Sequence, residues 1–107
     1  MAVIVERGKK QLPGVFSEMW TVTDTALDFA DAATGSGTFA SVDVTVPGVA
    51  LGDMLLAVSV GVDTVDAIIW GAVTAANTVT LTLNNNSAGA IDLASTTAKF
   101  VVGRPAW

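Results

Sequence analysis

The chain has 107 residues, of which 51% are apolar and only 14% charged, and its formal net charge is −5. That length suits one domain, and the charged share is well below the roughly 25% of an ordinary soluble domain, so burial in an oligomer or on a larger assembly is expected. The absence of Cys and His excludes disulfides, thiolate metal sites and imidazole acid–base chemistry.

In chain order, residues 1–20 precede the regular alternation and carry Arg7, Lys9 and Lys10, three of the five basic residues. Two readings are open for them. One is an extended arm that docks on a neighbouring subunit, leaving residues 21–107 as the body. The other is an ordinary edge strand over "AVIVE" (2–6). "GVFSEMWTV" (14–22) is compatible with a short helical turn and "TALDF" (25–29) with a strand, while "ADAATGSGT" (30–38) reads as a flexible small-residue connection. In "FASVDVTV" (39–46), Val42, Val44 and Val46 share one face, the period of a half-buried strand, with a later start or a bulge at Phe39. "PG" at 47–48 is a turn signal, and "GVALGD" (48–53) a short loop.

"MLLAVSV" (54–60) is almost continuously apolar, which predicts a strand buried on both faces. "GVDTVD" (61–66) is a loop. "AIIWGAV" (67–73) is a strand in which Trp70 is expected in the core and Gly71 marks a bulge or a close backbone contact. "TVTLTL" (78–83) alternates cleanly, with Val79, Leu81 and Leu83 on one side and three Thr on the other. Asn84–Asn86 close a turn, "SAGA" continues it, and Ile91 and Leu93 re-enter an apolar layer as a further strand. "AKFVV" (98–102) is the last strand. Short strands punctuated by turns every 8–12 residues or so predict an all-β fold, an antiparallel β-sandwich or small barrel of jelly-roll type.

Chemistry is sparse. Residues 11–98 hold nine acids and no base, which disfavours nucleic acid and anionic membranes. No apolar run reaches the ~18 residues of a membrane span. In "MAVIVERGKK" the charges follow the apolar residues, the wrong order for a secretion signal, which fits a cytoplasmically made product. Asp63 with Asp66, and Asp43 with Asp53, read as turn residues rather than paired catalytic carboxylates or calcium ligands. "GSG" (35–37) lacks the rest of a phosphate loop, and "NNS" (85–87) is a chance glycosylation triplet. No catalytic, cofactor or metal site is expected. Trp20 is expected to pack the arm onto the body. Trp107, the final residue, reads as an intersubunit anchor or a frayed end. The candidate contact residues are therefore Arg7, Lys9, Lys10, Trp20 and Trp107.

Residues 42–102, through "VTVPGVALGD" (44–53), "LLAVSV" (55–60), "VTAANTVTLTLNN" (73–85) and "AIDLAS" (90–95), resemble a small β-module of tailed-bacteriophage virion proteins. Such modules often carry Arg after "NTVT", where this chain reads "LTL". The resemblance implies a non-catalytic, often trimeric structural protein. The foremost expectation is a capsid decoration (cement) protein on the virion exterior, with the major capsid protein as partner and a homotrimer as its form. A tail or fibre module is the near alternative. A small carbohydrate-binding β-sandwich is the alternative from another class, with Trp20, Trp70 and Trp107 as its candidate aromatics.

Overall fold

The computed structural model describes residues 3–8, 14–29, 38–64, 67–86 and 89–107. Among the described residues seven strands follow in chain order: β1 (Val3–Gly8), β2 (Phe16–Leu27), β3 (Thr38–Thr45), β4 (Met54–Val60), β5 (Ala67–Ala75), β6 (Thr78–Asn85) and β7 (Thr96–Pro105). They form two antiparallel sheets, a four-stranded one of order β1-β2-β7-β4 and a three-stranded one of order β3-β6-β5. The chain is an all-β sandwich.

The core follows from the period of two. Trp20 and Val22 of β2, and Ala98, Phe100 and Val102 of β7, point inward from the four-stranded sheet. Val44 of β3 and Val79, Leu81 and Leu83 of β6 meet them from the three-stranded sheet. β6 is the clearest case, because its apolar residues are all buried, as its alternation predicts. Gly71 of β5 lies opposite Leu81. A Cβ there would overlap the Thr80 carbonyl oxygen and stand 3.0 Å from Leu81 Cδ2, so glycine lets β5 lie close against β6.

Several elements differ from the sequence reading. The described part of residues 1–20 is sheet, not a detached arm. β1 pairs with β2 from Val3↔Asp24 to Gly8↔Met19, and Phe16–Trp20 begin β2. The edge-strand reading of the first residues is the one realised, and the helical turn over 14–22 is not, because tertiary pairing outweighs a weak local preference. "TALDF" is no separate strand; β2 runs through to Leu27 with a register shift between Asp24 and Leu27. β3 begins at Thr38, so Phe39 is a strand residue that faces water. β4 is not buried on both faces. Among the described residues it is an edge strand that pairs only with β7, and it carries a bulge between Leu55 and Ala57. An antiparallel sheet can leave one face wet, and this one does. The segment after β6 makes a single bridge at Ile91 rather than a strand, although Ile91 and Leu93 are buried as expected. The proposed connection over residues 30–37 lies outside the described residues.

Candidate functional site

One end of the sandwich is closed by the loop between β3 and β4, residues 46–53. The tip of the β5–β6 hairpin is bolted to it. Asn77 adopts φ 61°, a left-handed conformation that Asn tolerates. The Val46 N–H donates to the Asn77 carbonyl at 2.9 Å and the Asn77 N–H donates to the Val49 carbonyl at 2.9 Å. The Gly48 N–H donates to Asn77 Oδ1 at 2.8 Å. The Trp20 indole N–H donates to the Pro47 carbonyl at 3.1 Å.

Beneath this loop sits a charged cluster that the sequence did not reveal as a unit. Trp20 is fully buried. The guanidinium groups of Arg7, from β1, and Arg104, from β7, lie 5.1 and 5.2 Å from its ring centroid. Arg7 pairs with Glu18, and Arg104 reaches the same Glu18 Oε2 at 3.5 Å. Arg104 Nε and Nη2 donate to Asp53 Oδ1 and Oδ2 at 2.9 and 3.0 Å, and Nη2 also donates to the Gly48 carbonyl at 2.9 Å. Asp53 accepts the Ala50 N–H at 2.8 Å, the turn role expected of it. The Asp53 hydrogen bond holds the Arg104 pKa above its ordinary value against the opposing effect of burial, with further support from the charges of Asp53 and Glu18. Register explains the assembly: Arg7↔Trp20 and Glu18↔Arg104 are cross-strand pairs. Spacings of 13 and 86 residues hid both from a local reading.

Of the predicted contact residues, the fold thus brings Arg7 and Trp20 together inside one molecule. Trp20 is a core residue of β2 and packs beside Arg7 of β1. Lys9 and Lys10 lie outside the described residues. Trp107 is 77% exposed, yet its ring leans on Phe16 at 6.2 Å between centroids, and the Ala106 N–H donates to the Val15 carbonyl at 2.9 Å. The C-terminal end is therefore tied down. Asp43 sits in β3 rather than in a turn, and Asp66 and Ser87 lie outside the described residues.

The main correction concerns Trp70. It is 53% exposed, not core, because β5 turns Ile69 and Val73 inward and Ile68 and Trp70 outward. The outer face of the three-stranded sheet is built from cross-strand rows. Ile68, Asn84 and Phe39 form one row, Trp70, Thr82 and Ser41 the next, and Ala72, Thr80 and Asp43 the third. Ile68 and Phe39 are 60% and 67% exposed. The hydroxyls bond one another. Ser41 and Thr82 are 3.1 Å apart, Thr74 and Thr80 2.8 Å apart, and the Thr80 hydroxyl donates to Asp43 Oδ1 at 2.7 Å. With those groups already paired, the face loses little hydrogen bonding when water leaves it. Its one charge is Asp43.

The outer face of the four-stranded sheet differs. It holds a shallow depression of about 370 Å³ lined in part by Thr21, Thr23, Ala57, Ser59 and Lys99. Lys99 stands between Thr23 and Ser59 in register. No family model matches the chain, and no curated protein or solved structure matches it either.

Proposed function

We propose that this chain is a structural subunit of a tailed-bacteriophage virion, a decoration protein that acts by packing against the major capsid shell rather than by turning over a substrate. The observation that carries this reading is the outer face of the β3-β6-β5 sheet. Phe39, Ile68 and Trp70 stand in water on a surface with one charge and with its hydroxyls already paired. Large apolar side chains exposed together on one face mark contact sites. The resemblance over residues 42–102 spans β3 to β7 and supports the virion setting.

The test is location and occupancy. In particles carrying this chain, many copies spread over the shell support decoration, and a few copies at the tail support the fibre alternative. Absence from every particle overturns both. Phe39→Lys, which puts a charge on the face, is expected to weaken shell binding at least tenfold, about 1.4 kcal/mol. Unchanged binding would remove the face from the contact.

One observation favours a second reading. Trp70 is exposed beside Thr82 and Ser41, an aromatic platform with polar neighbours that suits a sugar ring. A glycan-array signal lost in Trp70→Ala would favour carbohydrate binding. An array without signal would count against it.

A further inference from the structure

We infer that the free edge of β5 is a self-association surface, on which β5 of a second copy pairs antiparallel across a two-fold axis. The product is one continuous sheet of order β3-β6-β5-β5-β6-β3. This inference stands apart from the capsid reading, since it concerns how two copies of the chain meet and needs no shell.

The four free edges of the sandwich are unequal. A free edge offers unpaired N–H and C=O groups to any passing strand, and proteins guard against this with charge, proline or bulges. β1 carries Glu6 and Arg7, and β3 carries Asp43. β4 is bulged near its start, beside the ion pair of Asp53 with Arg104. β5 reads "AIIWGAVTA", with no charge and no proline over nine residues. Its one register shift lies between Val73 and Ala75, next to the hairpin. β5 is the last strand of its sheet, and outside the ladder its one backbone hydrogen bond among the described residues runs from the Ala67 N–H to the Thr64 carbonyl. Ile68 and Trp70 are exposed along this same edge.

A second copy fits the edge for two reasons. An antiparallel edge is self-complementary under a two-fold axis, because each donor and acceptor meets its own counterpart. Charge also permits it. Two chains of net charge −5 repel, but the nearest carboxylate on the exposed face, Asp43, lies two strands from the edge. In the paired sheet the two Asp43 side chains would be five strand spacings apart, about 24 Å, beyond the ~8 Å screening length. An axis through Trp70 overlaps Ala67–Val73 of each copy. It sets Trp70 opposite its counterpart and Ile68 opposite Ala72, contacts of the kind that stabilise paired strands. A trimer would need two different surfaces that fit each other, whereas this edge closes as a dimer.

The test uses the full chain in sedimentation velocity from about 1 µM to 1 mM. Concentration-dependent dimer formation is expected. Trp70→Lys is expected to weaken it at least tenfold with an unchanged far-UV spectrum, while Phe39→Lys, on the far strand of the same face, leaves it intact. Because the chain has no Cys, introduced thiols report register cleanly. Ile68→Cys mixed with Ala72→Cys should form a disulfide on mild oxidation, since directly opposed residues lie about 4.5–5.5 Å apart. A monomer throughout the range, a trimer indifferent to Trp70→Lys, or equal loss in Phe39→Lys (sheet faces stacking rather than edges pairing) would each overturn the inference. Loss of shell binding with the dimer intact, or the reverse, separates it from the decoration reading.

Discussion

Asp53→Asn tests whether the charged cluster under the 46–53 loop stabilises the fold. The Asp53 side chain is 4% exposed, and its carboxylate accepts three hydrogen bonds, two from Arg104 and one from the Ala50 N–H. An amide of the same shape has one acceptor oxygen, and its NH₂ would face a guanidinium that also only donates. Breaking a wholly buried ion pair costs about 3–5 kcal/mol. Arg104 keeps a third of its side chain in water and retains the Gly48 carbonyl, so solvent screening argues for the lower range, about 2 kcal/mol. For a domain near this size that is a fall in Tm of about 8–16 °C. Urea unfolding followed by tryptophan fluorescence measures it. A double-mutant cycle with Arg104→Gln should give a coupling of about 1–2 kcal/mol, little changed between about 0.1 and 1 M salt because Asp53 is buried. A loss below about 0.5 kcal/mol, or a coupling that vanishes in salt, would show the pair to be ornamental. The pH dependence has a definite sign. The folded pKa of Arg104 is raised, so its contribution is complete below the unfolded arginine value and is lost only as pH rises through the folded value. From neutral to strongly alkaline pH the Arg104 contribution should therefore stay constant.

Three further outcomes are expected. Gly71→Ala should destabilise by about 1–3 kcal/mol, because its methyl would meet the backbone of β6; a neutral result in thermal melts would mean that β5 can move away freely. Asn77→Ala should cost about 1–2 kcal/mol through the lost Gly48 bond and the left-handed backbone, and Asn77→Gly should cost less than Asn77→Ala; the reverse order in urea titrations would contradict this account. Asp24 is wholly buried, with Oδ1 accepting the Ala26 N–H and Oδ2 without a hydrogen-bond partner among the described residues. Asp24→Asn, which keeps the shape and removes a buried charge, should therefore be neutral or stabilising by about 1 kcal/mol. A loss of that size in the same titrations would reveal a partner for Oδ2.

How much was legible in the sequence depended on how local the cause was. The inward set of β6 could be read directly, because Val79, Leu81 and Leu83 alternate with threonine and nothing competes with that period. The turn at Pro47–Gly48 and the demand for glycine at position 71 were legible for the same reason. Trp70 and "MLLAVSV" were misread because an apolar run does not say which of its faces a second sheet will cover. That depends on whether the strand lies at an edge, as β4 and β5 both do. Phe39 shows the same effect on β3.

The residues alone determined the all-β class, the main core positions and the absence of thiol and imidazole chemistry, since side-chain type and a period of two act within a few residues. Which strands became edges, which side chains faced water, and how Arg7, Glu18, Trp20, Asp53 and Arg104 met in one cluster were settled only when distant segments paired. Register converts separation along the chain into contact in space, and register is fixed by the whole sandwich rather than by any one stretch of it.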